Sequence, residues 1–140
     1  MSFLLDTNVV SESIKPYPNP GVTEWLAGVD EDRAFLSVVT LTELRYGIER
    51  MPAGTRRKRV TAWLEDELLL RFEGRILTID ATAADLCGRI IARSEAAGHR
   101  IEPLDAFIAA TAEFHRLTLV TRNTADFEPV LKDILNPWTK

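Results

Sequence analysis

Short apolar runs alternate with segments of helical period along the whole chain, and that alternation constrains the fold more than any other feature. "FLL" at 3–5, "AFLSVV" at 34–39, "RILTID" at 75–80 and "LTLVT" at 117–121 read as strands. Between them, apolar residues recur every three or four positions. Residues 8–14 and 21–28 read as short helices, parted by the "PYPNP" loop at 16–20, whose prolines stop any helix. Leu41, Leu44 and Ile48 give a helix over 40–51, and Val60, Trp63, Leu64 and Leu68 a long amphipathic one over 55–72. Residues 82–97 carry an apolar face from Ala83 to Ser94, with Gly98 as its stop. Pro103 suits the first position of a helix over 104–116. The tail "VLKDILNPWTK" suggests a last helical turn and an edge strand.

Strands alternating with helices predict an α/β fold, a parallel doubly wound sheet with helices on both faces. Ligands of such sheets bind outside the carboxyl ends of the strands. The 140 residues suit one domain, 1–140, and 46% hydrophobic with 27% charged residues is an ordinary globular balance. Every apolar run is shorter than a membrane span, and the N-terminus lacks the basic and long apolar regions of a signal peptide. Cys87 is the only cysteine, so a reducing cytoplasm is the simplest home. A net charge of −4 argues against coating nucleic acid by bulk charge, but not against touching a few phosphates.

Four acids stand where strands end and helices begin. Asp6 ends the first strand, Glu43 lies in the first turn of the helix over 40–51, Asp105 opens the Pro103 helix, and Asp126 follows the fourth strand. A parallel sheet would bring all four to one edge. Each has a local reading. Asp6 suits an Asx-turn. Thr40 to Glu43 matches a capping box. Asp105 is favoured by the helix dipole, and Asp126 could cap the turn before Phe127. Together they demand more. Two unit charges about 5 Å apart at an effective dielectric of about 20 repel by about 3 kcal/mol, so a fold that gathers several must hold a cation or raise a pKa. Oxygen ligands without Cys or His favour Mg²⁺ or Mn²⁺, and such a site can activate water against a phosphodiester.

Other chemistry-bearing residues read as structural. His99 lies past a helix stop and His115 at a helix C-terminus, so the pair is a weak candidate for metal-free acid–base work. Asp80 suits an N-cap. Gly47, Ala109 and Ala112, near the acids, read as tight packing or close ligand approach. The basic run Arg56–Arg59 reads first as a solvated face, while Arg45 and Arg50, near Glu43, are better placed to meet a phosphate bound at the metal.

"LLDTNVVSE", "VVTLTELRYGI", "PLDAFIAATA" and "LVTRNTADF…LNPW" resemble, in order and over the whole chain, the PIN-domain ribonucleases, and more closely the VapC/FitB-type toxins of bacterial toxin–antitoxin pairs. The resemblance implies an α/β/α sandwich with a central parallel sheet. It also implies Mg²⁺- or Mn²⁺-dependent endonucleolytic cleavage of RNA, dimerisation, and a cognate VapB-like antitoxin whose tail covers the acidic pocket. By motif position, Asp6, Glu43 and Asp105 match the metal-holding acids. The fourth position falls in Thr121–Arg122–Asn123, where Asn123 stands as a neutral amide with Asp126 three residues on. That leaves the metal count open and favours Asp126 as a contributor through water. Thr7, Asn8, Thr121 and Asn123 are candidates for supporting the acids. Two rivals remain. A receiver-like Mg²⁺-binding phospho-acceptor would need a lysine near a late strand end, and "LTLVTRNTADF" has none. A catalytically idle PIN-like module would bind its partner without hydrolysis.

Overall fold

Successive residues of the first strand, β1 (Phe3–Leu5), point to opposite faces, and both faces are covered. Leu4 packs into one apolar cluster with Ile90, Ile108 and Phe127, and Leu5 into a second with Val9, Leu36 and Leu64. One strand therefore serves two cores, which is what places helices on both sides of it. The structure is a computed structural model and describes residues 1–139.

Helices α1 (Thr7–Glu12) and α2 (Pro20–Gly28) follow β1, and a 3₁₀ turn (Glu31–Arg33) leads into β2 (Ala34–Ser37) and α3 (Val38–Arg50). Helix α4 (Thr55–Ala62) continues through a π-helical stretch, Trp63–Leu68, into α5 (Leu69–Arg71). The rest of the chain is β3 (Ile76–Leu77), α6 (Ala81–Ala96), α7 (Pro103–Phe114), β4 (Thr118–Val120), α8 (Thr124–Phe127) and β5 (Ile134–Leu135). All pairings are parallel and the strand order is β3-β2-β1-β4-β5. The α/β/α sandwich expected from the alternating pattern is therefore present.

The order locates the ligand crevice. The chain moves from β1 outward to β3, then returns to the other side of β1 for β4 and β5. The direction reverses between β1 and β4, so the crevice opens at the carboxyl ends of those two strands. Leu5 pairs with Val120, which leaves Asp6 and Thr121 side by side as the first residues beyond the sheet.

Some boundaries differ from the sequence reading for local reasons. Val38 and Val39 read as strand, but Ser37 Oγ accepts from the Val39 N–H at 3.1 Å and starts α3 two residues early. Glu43 is consequently in the second turn, not the first, and Thr40 is not the cap. The capping-box reading of Glu43 fails on that point. The strand expected over 75–80 pairs only at Ile76–Leu77, because Asp80 turns the chain by capping α6, its Oδ1 accepting from the Ala83 N–H at 2.9 Å. Gly98 does end α6, at φ 77, in the left-handed region that favours glycine.

Candidate active site

Asp6 is the N-cap of α1, and its two carboxylate oxygens have different tasks. Oδ1 accepts from the Thr7 N–H at 2.8 Å, the local Asx contact. Oδ2 accepts from the Thr121 hydroxyl at 2.8 Å and from the Asn8 amide at 3.3 Å. A turn device needs only the first contact. The second reaches across the crevice to the end of β4. Asp6 is 5% exposed, and its carboxyl is pushed above the usual range, chiefly by burial and further by Glu43, against the pull of its hydrogen bonds.

Glu43 faces the same crevice from α3. Its Oε1 accepts from the Thr7 hydroxyl at 2.7 Å, and that hydroxyl lies 3.1 Å from the buried Thr40 hydroxyl. Thr7 thus links the two acids, with its N–H on Asp6 and its side chain on Glu43.

Asp105 is the third residue of α7, half-buried at that helix's N-terminus. Its carboxyl is pushed up to about 6 by burial first, then by the negative charges of Asp6, Glu43, Asp126 and Glu102. The helix terminus alone would lower it, so burial and the neighbouring carboxylates together outweigh the helix dipole. Asp126 lies in the short α8, exposed, on the rim of this field. Glu102, three residues before Asp105, is not among the acids that the sequence pattern singles out. Its place directly before Pro103, as the N-cap of α7, is the signal that would have found it.

The supporting residues form one network. Asn8 Nδ2 also reaches Thr121 Oγ1 at 3.3 Å, and Asn8 Oδ1 accepts from the Arg122 N–H at 3.3 Å. Thr121, fully buried, accepts from the Asn123 N–H at 3.0 Å. Asn123 therefore serves through its backbone, while its side chain makes no cap to α8.

The residues fit a hard divalent cation in chemistry: every donor is oxygen, and the charges crowd one another. As they stand, no three acids among the described residues are drawn tightly enough to enclose an ion.

The basic residues near Glu43 have partners within the chain. Arg45 pairs with Glu65 at 2.8 Å, and Arg50 stacks on the exposed Tyr46 ring at 5.3 Å. Arg57 is held by Glu49 and the Met51 carbonyl. Arg56 and Arg59 instead line a groove of about 780 Å³ that has Glu43, Thr7 and Gly47 along its other wall. A Cβ on Gly47 would meet nothing, so this glycine widens the groove rather than tightening helix packing. His115 caps the C-terminus of α7 and lines a cavity with Met1 and Ser2, at the amino edge of the sheet, away from the acids.

Comparison with known proteins identifies the family. The PIN domain model matches residues 3–130. The chain is 39% identical to the VapC ribonuclease Y4jK of Sinorhizobium fredii over 96% of each chain. It is 38% identical to the toxin FitB of Neisseria gonorrhoeae, over 96% of this chain and 97% of that one. The crystal structure of FitAcB from N. gonorrhoeae superposes with a TM-score of 0.93 at 37% identity, covering 99% of both chains.

Proposed function

Because the chain belongs to the PIN-domain family, we propose that it is a Mg²⁺- or Mn²⁺-dependent endoribonuclease acting as the toxin of a toxin–antitoxin pair. The observation that carries this reading is the gathering of acids at one crevice: Thr7 bonds both Asp6 and Glu43, and burial with the charges of Asp6, Glu43, Asp126 and Glu102 pushes the Asp105 carboxyl up to about 6. A fold that tolerates such crowding is adapted to a positive partner. Relatives named a VapC ribonuclease and a toxin support RNA as the substrate and a cognate antitoxin as the protein partner. Among the described residues, no helix is long and apolar enough to cross a membrane.

Asp6, Glu43 and Asp105 would hold the cation, with Asp126 contributing from the rim through water. When bound, the cation supplies an activated water and offsets charge developing on the phosphodiester. The protein's own share is positioning. Thr121, the Thr7 N–H and Asn8 fix the Asp6 carboxylate, and the Thr7 hydroxyl orients Glu43. Asp105 approaches from α7, so its placement depends on helix packing rather than on the sheet.

Incubation with structured RNA and Mg²⁺ or Mn²⁺ tests the reading. Cleavage is expected, and it should be lost with EDTA and in Asp6→Ala. Cleavage that survives both overturns it. Expression of the chain without its antitoxin should arrest growth, and Asp105→Asn should relieve the arrest. An idle binding module would behave alike with either residue.

A further inference from the structure

The acids account for chemistry at one phosphate. They also present a strand of RNA with a strongly negative rim, and a polyanion needs cationic contacts beside it. Arg122 occupies the residue directly after Thr121, which donates to Asp6. Its own N–H donates to Asn8 Oδ1 at 3.3 Å, and Asn8 in turn touches Asp6. The backbone of Arg122 is therefore built into the acid network, while its side chain is exposed.

The charge of the side chain reaches Glu12 without a direct contact. Among the described residues, Arg122 forms no ion pair; the Glu12 carboxylate near it is taken by Lys15 at 2.8 Å and by the Asn19 N–H at 2.8 Å. Its guanidinium instead lies over the Trp138 ring, 5.7 Å from the ring centre. A ring contact uses the flat face of a guanidinium and leaves its N–H edge for a planar anion. An ion pair, as Arg45 makes with Glu65, consumes that edge.

The platform beneath Arg122 is fixed. Trp138 is half-buried against the Leu5–Val9 core, and its backbone N–H donates to Asn136 Oδ1 at 3.0 Å. The next residue is tied to α2: Asn19 Oδ1 accepts from the Thr139 N–H at 3.1 Å, and Asn19 Nδ2 donates to the Thr139 carbonyl at 2.8 Å. Gly21 leaves room for this segment, since a Cβ there would stand 2.4 Å from the Pro137 carbonyl oxygen. A guanidinium held on an anchored ring loses less freedom on binding than a free surface arginine.

We propose that Arg122, seated on Trp138, is a substrate-positioning residue that binds an RNA phosphate neighbouring the one at the acids. The inference rests on the ribonuclease reading above and goes beyond it. The competing role is a staple, in which Arg122 merely holds the C-terminal segment down.

Cleavage kinetics of structured RNA, RNA binding with Ca²⁺ replacing Mg²⁺, and thermal melting separate the two, using the full chain and Arg122→Gln, Arg122→Lys and Trp138→Leu. Arg122→Gln should raise KM roughly five- to tenfold with kcat unchanged. It should also make the salt dependence of binding shallower by about 0.7 in the log–log slope. Arg122→Lys should restore the slope but not all of the KM. Trp138→Leu should raise KM in the wild type yet add little in the Arg122→Gln background. Unchanged KM and slope in Arg122→Gln overturn the proposal. So does a lowered melting temperature with the wild-type slope, which marks a staple. A chain that binds RNA with the Arg122-dependent slope yet cleaves nothing would sink the nuclease reading and leave this one standing.

Discussion

Replacing Asp105 by asparagine should make the metal-free protein more stable while destroying its activity. In the fold the Asp105 carboxyl titrates at about 6 instead of 3.8, raised by burial and then by Asp6, Glu43, Asp126 and Glu102. A raised carboxyl favours the protonated fold. Its favourable contribution is therefore complete below about pH 4, declines as the pH climbs to about 6, and is absent above. A rise of that size corresponds to about 3 kcal/mol. Asp105 is partly solvated, and screening reduces the realised penalty to about 1–2 kcal/mol. Asparagine keeps the shape and removes the charge. At neutral pH without metal, Asp105→Asn should melt about 3–8 °C higher than wild type. Mg²⁺ should raise the melting temperature of the wild type and much less that of the variant. Cleavage should fall by more than about 100-fold. Differential scanning calorimetry across pH, with and without Mg²⁺, checks the stability changes, and an RNA cleavage assay checks the activity. A variant that is less stable than wild type at neutral pH without metal would refute the electrostatic account. Equal stabilisation of both proteins by Mg²⁺ would do the same.

Thr121→Val removes the 2.8 Å donor to a carboxylate that is 5% exposed, and the acceptor of the Asn123 N–H, so urea unfolding should show a loss of about 1–3 kcal/mol. Gly21→Ala places a Cβ 2.4 Å from the Pro137 carbonyl; it should cost about 1–3 kcal/mol and shift tryptophan fluorescence as Trp138 is displaced. An unchanged emission spectrum would mean that the C-terminal segment is not packed as described. Cys87 is buried and its thiol is pushed up by burial, so a thiol reagent should label the native protein slowly and the urea-unfolded protein at once. Immediate labelling of the native chain would contradict its place in the core.

What was legible in the sequence followed from periodicity. Leu4 and Leu5 belong to different cores because a strand alternates, and the helix over 82–97 was plain from one apolar face. Boundaries set by one side-chain hydrogen bond were not. Ser37 caps α3 two residues before the expected start, and its neighbours Val38 and Val39 carry strand-like side chains that hide the cap. The π-helical stretch at Trp63–Leu68 keeps the apolar stripe, so nothing in the residue pattern reveals its shifted hydrogen bonds. The acids were legible as a set because parallel topology brings strand ends to one edge. Their partners were only partly so. Thr7 and Asn8 suggested themselves by adjacency to Asp6, but the Thr7 contact to Glu43 joins two elements and needs the fold. Asp6 makes the local turn contact with one oxygen and reaches Thr121 with the other, so the Asx-turn alone does not account for its place.

The ends left on cleaved RNA test the central claim most directly. Water activated at the acid cluster would attack phosphorus and leave a monoester phosphate on one fragment and hydroxyls on the other, with no cyclic product. A metal-free mechanism built on His99 and His115 would use the neighbouring 2′-hydroxyl and pass through a 2′,3′-cyclic phosphate. Mass spectrometry of fragments from a Mg²⁺ digest should find only the monoester ends, and none of them after EDTA or in Asp6→Ala. Cyclic phosphate ends, formed equally in EDTA, would contradict the account.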